Sequence, residues 1–103
     1  MSVRVTTHVL DTSAGRPAEG VRVVLERAAG DGWELVGQAD TGSDGRAGDF
    51  APVAGGRHRL RFGTAAHSAF FPEVIVQFAV GDEDHLHLPL LLNPYGYSTY
   101  RGS

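Results

Sequence analysis

Cysteine is missing from all 103 residues, which removes disulfides, thiolate metal sites and cysteine nucleophiles from consideration. Lysine is missing too. All nine basic residues are arginine, a usage that compositional bias of the genome also produces. Any site here that needs a cation must therefore use a guanidinium, which suits planar carbonyl or carboxylate partners. No apolar run approaches membrane-spanning length, and residues 1–4 lack the stretch that opens a secretory signal. The formal net charge is −3, so no basic surface advertises nucleic acid or an anionic membrane as partner. There is no phosphate-cradling glycine loop and no readable Ser-His-Asp arrangement. These absences point to a soluble, cytoplasmic protein without a nucleic-acid or membrane partner.

What is present belongs to a globular chain: 42% hydrophobic and 20% charged residues. The length fits one domain over residues 1–103, with no internal repeat, linker or low-complexity segment. A chain of this size buries about 60–65% of its unfolded surface, so association into an oligomer would help it. Short β-branched or alternating runs recur between turn clusters, the pattern of an all-β sandwich or barrel of about eight strands. They cover residues 3–10, 21–27, 33–38, a short piece from Arg46, 57–62, 74–80, 85–92 and 96–101. In the second run Val21, Val23 and Leu25 face inward, with Arg22, Val24 and Glu26 opposite. Residues 11–17 read as loop, Asp44-Gly45 as a tight turn, and residues 64–69 as one very short helix.

Candidate chemistry gathers on few residues. His85 and His87 project from one face of their strand and Leu86 and Leu88 from the other, while Thr6, His8 and Leu10 share a face of the first strand. An imidazole can take a proton from water near neutral pH, and Arg46, directly after the Asp44-Gly45 turn, can hold substrate oxygens. Each has a plainer reading: a strand histidine is commonly just hydrogen-bonded, and a turn arginine just solvated. The His85-X-His87 spacing suits zinc, but no third ligand is identifiable, and no metal or cofactor is expected. His58 and His67 lie in charged or exposed-looking surroundings and receive no role. The last residues, Tyr100-Arg101-Gly102-Ser103, put a phenol, a guanidinium, a flexible glycine and a hydroxyl beside the carboxylate. Chain ends usually fray, but residues 85–99 are apolar and aromatic up to this end, so the C-terminus is expected to be built into a site.

Together these pieces resemble the transthyretin-related 5-hydroxyisourate hydrolases. The resemblance runs through Thr7-His8-Val9-Leu10-Asp11-Thr12 with Gly15-Arg16-Pro17-Ala18, then Asp44-Gly45-Arg46, then Phe71-Pro72-Glu73-Val74. Its most specific part is His85-Leu86-His87-Leu88-Pro89-Leu90-Leu91-Leu92 leading to Tyr97-Ser98-Thr99-Tyr100-Arg101-Gly102-Ser103. The terminal Tyr-Arg-Gly-Ser distinguishes these hydrolases from transthyretin, a hormone carrier of the same fold. The resemblance implies a transthyretin-like two-sheet β-sandwich that dimerises by edge pairing, with dimers joined into a homotetramer around a central channel. It implies His8, Arg46 and His87 as catalytic residues, His85 supporting His87 from behind, and Tyr100, Arg101, Gly102 and Ser103 holding substrate. The implied reaction opens 5-hydroxyisourate to 2-oxo-4-hydroxy-4-carboxy-5-ureidoimidazoline in urate and purine breakdown, without a cofactor. Two departures concern packing: residues 63–70 are shorter than the usual helix-bearing segment and lack its common tyrosine, and Ala47 stands where cysteine is frequent. A non-catalytic carrier would not need His8, Arg46, His87 and the tail. An adhesion or sugar-binding sandwich would leave the terminal motif unexplained.

Overall fold

The computed structural model describes residues 2–102. Its nine strands are β1 (Arg4–Asp11), β2 (Arg16–Pro17), β3 (Arg22–Ala29), β4 (Gly32–Asp40), β5 (Arg46–Ala47), β6 (Gly56–Gly63), β7 (Glu73–Val80), β8 (His85–Asn93) and β9 (Gly96–Thr99). One sheet runs β2-β1-β8-β9, with β5 also paired to β1, and the other runs β4-β3-β6-β7. The all-β sandwich expected from the sequence is what forms. The strand not foreseen is β2, which lies in the stretch read as loop and pairs Leu10 with Pro17 and Asp11 with Arg16.

Period-two alternation positions the core. Val21, Val23 and Leu25 are buried from β3, Leu60 and Phe62 from β6, and Leu86, Leu88, Leu90 and Leu92 from β8. Val3, Val5 and Val9 complete the first strand's inward row. Thr7 sits in that row fully buried, and its hydroxyl donates to the Leu88 carbonyl, which satisfies a polar group that would otherwise be costly there. The odd residues of β1 are thereby committed to the core. Thr6 and His8 must then point to the outer face, as must His85 and His87 when Leu86 and Leu88 turn inward.

Three expectations need correction. Among the described residues there is no helix: 64–69 form a single turn in which the Thr64 carbonyl accepts from the His67 and Ser68 amides, both at 2.9 Å. Starting a helix is unfavourable, and the local hydroxyls are otherwise engaged. Thr64 Oγ1 donates to the Phe71 carbonyl, and Ser68 Oγ donates to the Pro94 carbonyl while accepting from the Phe71 amide. His58 is not exposed; it shares the inward row of Leu60 and Phe62, is 2% accessible, and stacks on Phe78. His67 is likewise engaged, its Nδ1 lying 2.9 Å from Asp11 Oδ2.

The last strand also ends earlier than residue 101. β9 pairs with β8 from Asn93↔Gly96 to Leu90↔Thr99, then the ladder lapses and resumes in the same register at His87↔Gly102. Positions 89 and 100 would form the intervening hydrogen-bonded pair, and Pro89 has no N–H to donate. The break therefore frees Tyr100 and Arg101, whereas the Gly102 amide returns to the His87 carbonyl at 2.8 Å.

Candidate active site

Strands β1 and β8 lie side by side and parallel, in a register that sets Arg4 beside His85, Thr6 beside His87 and His8 beside Pro89. On the other edge of β1, β5 sets Arg46 opposite His8. The Asp44-Gly45 turn enforces this approach. Gly45 has φ +78°, its carbonyl accepts from the Val9 amide at 2.8 Å, and a Cβ there would run into the Val9 carbonyl oxygen. Asp44 Oδ1 accepts the Arg46 amide at 3.0 Å, so the turn delivers Arg46 to β1 in a defined orientation.

The resulting cleft has a volume of about 720 Å³ and is walled by Thr6, Arg46, Gly48, Asp49, His85 and His87, with Asp40 and Asp44 at its margin. His85 and His87 stand with ring centroids 6.3 Å apart. Thr6 Oγ1 bridges them, 2.7 Å from His85 Nε2 and 2.8 Å from His87 Nδ1. The His87 imidazole is held below its ordinary pKa, first by burial and then by the positive charge of Arg46, His85 and His8. It is thus a neutral ring at neutral pH, with a lone pair to offer. Arg46 is open to solvent, its side chain 58% exposed, and among the described residues the carboxylate it pairs with is Asp44, at 4.0 Å.

The sequence candidates do not all land in one place. Arg46, His85 and His87 line the cleft, while His8 lines neither recess and stands paired with Arg46. Tyr100 and Arg101 border a second, smaller recess of about 200 Å³ between β7 and β8, formed with Val76, Phe78, Leu86 and Leu88. His87 is common to the lining of both recesses. Arg101 reaches Glu83 at 3.5 Å and is otherwise exposed. Gly102 packs on His87 closely enough that an added Cβ would lie 2.7 Å from its Cδ2. Ser103 lies outside the described residues. Among the described residues no group of three or more histidine, aspartate or glutamate side chains is arranged to hold a metal ion.

Two residues were overlooked by sequence reasoning. Thr6 shares the outer face of β1 with His8, which was the available signal, but its role depends on the pairing of β1 with β8. Gly48 approaches Thr6 so closely that a Cβ would lie 2.7 Å from Thr6 Cγ2. Nothing local to Gly48 announces that.

Comparison with known proteins shows the family. The family described as HIUase/Transthyretin matches residues 5–102. The chain is 44% identical to 5-hydroxyisourate hydrolase 2 of Rhizobium meliloti, over 99% of this chain and 98% of that protein. The structure of Klebsiella pneumoniae 5-hydroxyisourate hydrolase superposes with a TM-score of 0.86 at 42% identity, covering 100% of both chains. Sea bream transthyretin in complex with thyroxine superposes as well, TM-score 0.87, but at 25% identity over 95% of this chain and 93% of that one.

Proposed function

The chain belongs to the HIUase/Transthyretin family, and from that premise we infer that it is a hydrolase that opens the ring of 5-hydroxyisourate. The observation that carries this reading is the cleft in which a partly buried His87 meets the exposed Arg46 guanidinium. A binding site for a carrier's cargo has no use for that pair.

The chemistry is addition of water across a cyclic acyl C–N bond. His87 takes a proton from water as its oxygen attacks the acyl carbon, a role worth about 10²–10⁴-fold in rate for a well-placed general base. Arg46 orients the substrate and stabilises the negative charge that develops on the carbonyl oxygen. The C–N bond then breaks, the nitrogen leaves with a proton and a carboxylate forms, giving 2-oxo-4-hydroxy-4-carboxy-5-ureidoimidazoline. Family resemblance adds His8, in register with Arg46, to the catalytic residues. Family resemblance also gives Tyr100, Arg101, Gly102 and Ser103 the role of binding substrate, and Gly102 is bridged to His87. The reaction has a place in urate breakdown.

The finer assembly follows the family resemblance: a homotetramer, dimer of dimers, with sites in the channel between dimers. Supporting it, the sheet-edge strands β7 and β9 carry exposed Ile75 and Tyr97, with exposed Tyr100 just beyond β9. The two sheets share one core, which supports treating residues 1–103 as one domain. A cytoplasmic location fits the absence of cysteine, and no helix of the described chain is long and apolar enough to cross a membrane.

The test uses urate and urate oxidase to generate unstable hydroxyisourate in the cuvette. Its absorbance decay accelerates on adding the protein, and His87→Ala and Arg46→Ala lose most of that acceleration while gel filtration and circular dichroism stay unchanged. Decay at the spontaneous rate with folded wild-type protein would sink the hydrolytic reading in favour of a carrier.

A further inference from the structure

We propose that Thr6 is a positioning residue whose hydroxyl fixes the tautomer of His87 and conducts a proton between His87 and His85; this rests on the hydrolytic reading above. A hydroxyl has one proton to donate and lone pairs to accept with. Thr6 Oγ1 is within hydrogen-bond distance of two ring nitrogens, His85 Nε2 at 2.7 Å and His87 Nδ1 at 2.8 Å. No other described group accepts its proton. With both rings neutral and the hydroxyl proton used between them, one contact is N–H donating to Oγ1 and the other is the hydroxyl donating to a nitrogen. The two tautomers are locked together: His87 Nδ1–H requires that His85 Nε2 accept, and the reverse.

The first arrangement makes His87 a base. Its Nδ1–H donates to Oγ1, the Thr6 hydroxyl donates to His85 Nε2, and His87 Nε2 carries the lone pair. When Nε2 takes a proton from the attacking water, the Nδ1 proton passes to Oγ1 and the hydroxyl proton passes to His85 Nε2. His87 is again neutral and now bears Nε2–H, and the positive charge rests on His85. Reversal of the two shifts, as Nε2–H gives its proton to the departing nitrogen, returns the chain to its start. No proton is gained or lost over the cycle.

The environment gives this transfer a direction. His87 is partly buried and sits beside Arg46, so an imidazolium there is both desolvated and repelled. His85 is exposed and its charge is solvated. The charged groups facing the pair are Arg4 and His8 from β1, Asp40 from β4, and Asp44, Arg46 and Asp49 around β5. None of them hydrogen-bonds the Thr6 hydroxyl. Gly48 holds the geometry from the other side, since only a residue without Cβ leaves room for the Thr6 methyl.

The test compares Thr6→Val, which keeps the branched shape without the hydroxyl, with Thr6→Ser, which keeps the hydroxyl. Nitrogen-resolved NMR of the free protein reads the tautomer and titration of each ring without any substrate. In wild type and Thr6→Ser, His87 is a single Nδ1–H tautomer and the two rings titrate as a coupled pair. In Thr6→Val the His87 tautomers mix, the rings titrate independently, kcat falls about 10²-fold and the acid limb of its pH profile moves. Thr6→Ala serves in place of Val should the latter not be accommodated. A Thr6→Val protein with the tautomer, coupling and kcat of Thr6→Ser overturns the proposal. Wild-type protein that fails to accelerate hydroxyisourate decay overturns the hydrolytic reading instead, and the NMR comparison still decides the coupling.

Discussion

Replacing Gly102 by alanine separates the site from the fold. The new Cβ would lie 2.7 Å from His87 Cδ2, 3.2 Å from the His87 carbonyl oxygen and 3.3 Å from Cγ. Neither the β8 backbone nor an imidazole tied to Thr6 can retreat without loss. One outcome lifts the tail and breaks the 2.8 Å bond from the Gly102 amide to the His87 carbonyl. The other turns the ring and breaks the 2.8 Å contact of Nδ1 with Thr6. Either way one hydrogen bond is lost, about 1 kcal/mol of stability. The proposed base, His87, is however misplaced by a sizeable fraction of an ångström, and a displacement of about 1 Å costs on the order of 10²-fold in rate. Turnover should thus fall about 10²-fold while the urea midpoint shifts little. Gly32→Ala is the matched control: nothing lies within 4 Å of its added Cβ, and relief of glycine's entropy cost makes it neutral or stabilising by about 0.5 kcal/mol. Gly102→Ala protein with wild-type kcat would show that the tail does not bear on His87.

Two further outcomes concern protonation. Asp11 is lowered from 3.8 to about 2, chiefly by the hydrogen bond from His67 and then by the Ala14 amide. Its carboxylate therefore contributes about 2 kcal/mol of stability that is complete above the ordinary value and is lost as pH falls through the folded value. Urea midpoints measured between pH 5 and pH 2 should drop in wild type and drop less in Asp11→Asn; parallel curves would refute the assignment. His87 titrates below 6.5, so the active neutral ring persists into mildly acidic solution and the acid limb of kcat/KM lies below that value. Arg46→Gln removes a positive neighbour and should raise the His87 value in an NMR titration. Burial, the larger cause, should still hold it under 6.5. An unmoved titration would mean that Arg46 does not face the ring.

Much of this molecule was legible along the chain because burial imposes a period of two on a strand. Val21, Val23 and Leu25, or Leu86 to Leu92, declare their inward row without reference to any partner, and the outward placement of His85 and His87 follows from it. Asp44-Gly45 likewise announces a positive-φ turn from its own chemistry. The family motifs named His8, Arg46 and His87. Other features depended on contacts between distant segments. A helix was expected at 64–69, but the hydroxyls of Thr64 and Ser68 bond instead to Phe71 and Pro94. The tail's gap at Tyr100 needed the knowledge that it would face Pro89, and Pro89 by itself says only that one N–H is missing.

The sequence alone determined that this is an all-β fold, sandwich or barrel, and which side chains leave its core, since alternation and turn chemistry are properties of neighbouring residues; family resemblance chose the sandwich. Tertiary structure decided which of those side chains meet. Thr6 and His87 stand 81 residues apart, and only the parallel register of β1 on β8 puts a hydroxyl between two imidazoles. A shift of one residue would have turned one of the two rows to the other face. Register is a property of the pair of strands, set by the shared core beneath them, and neither strand carries it alone.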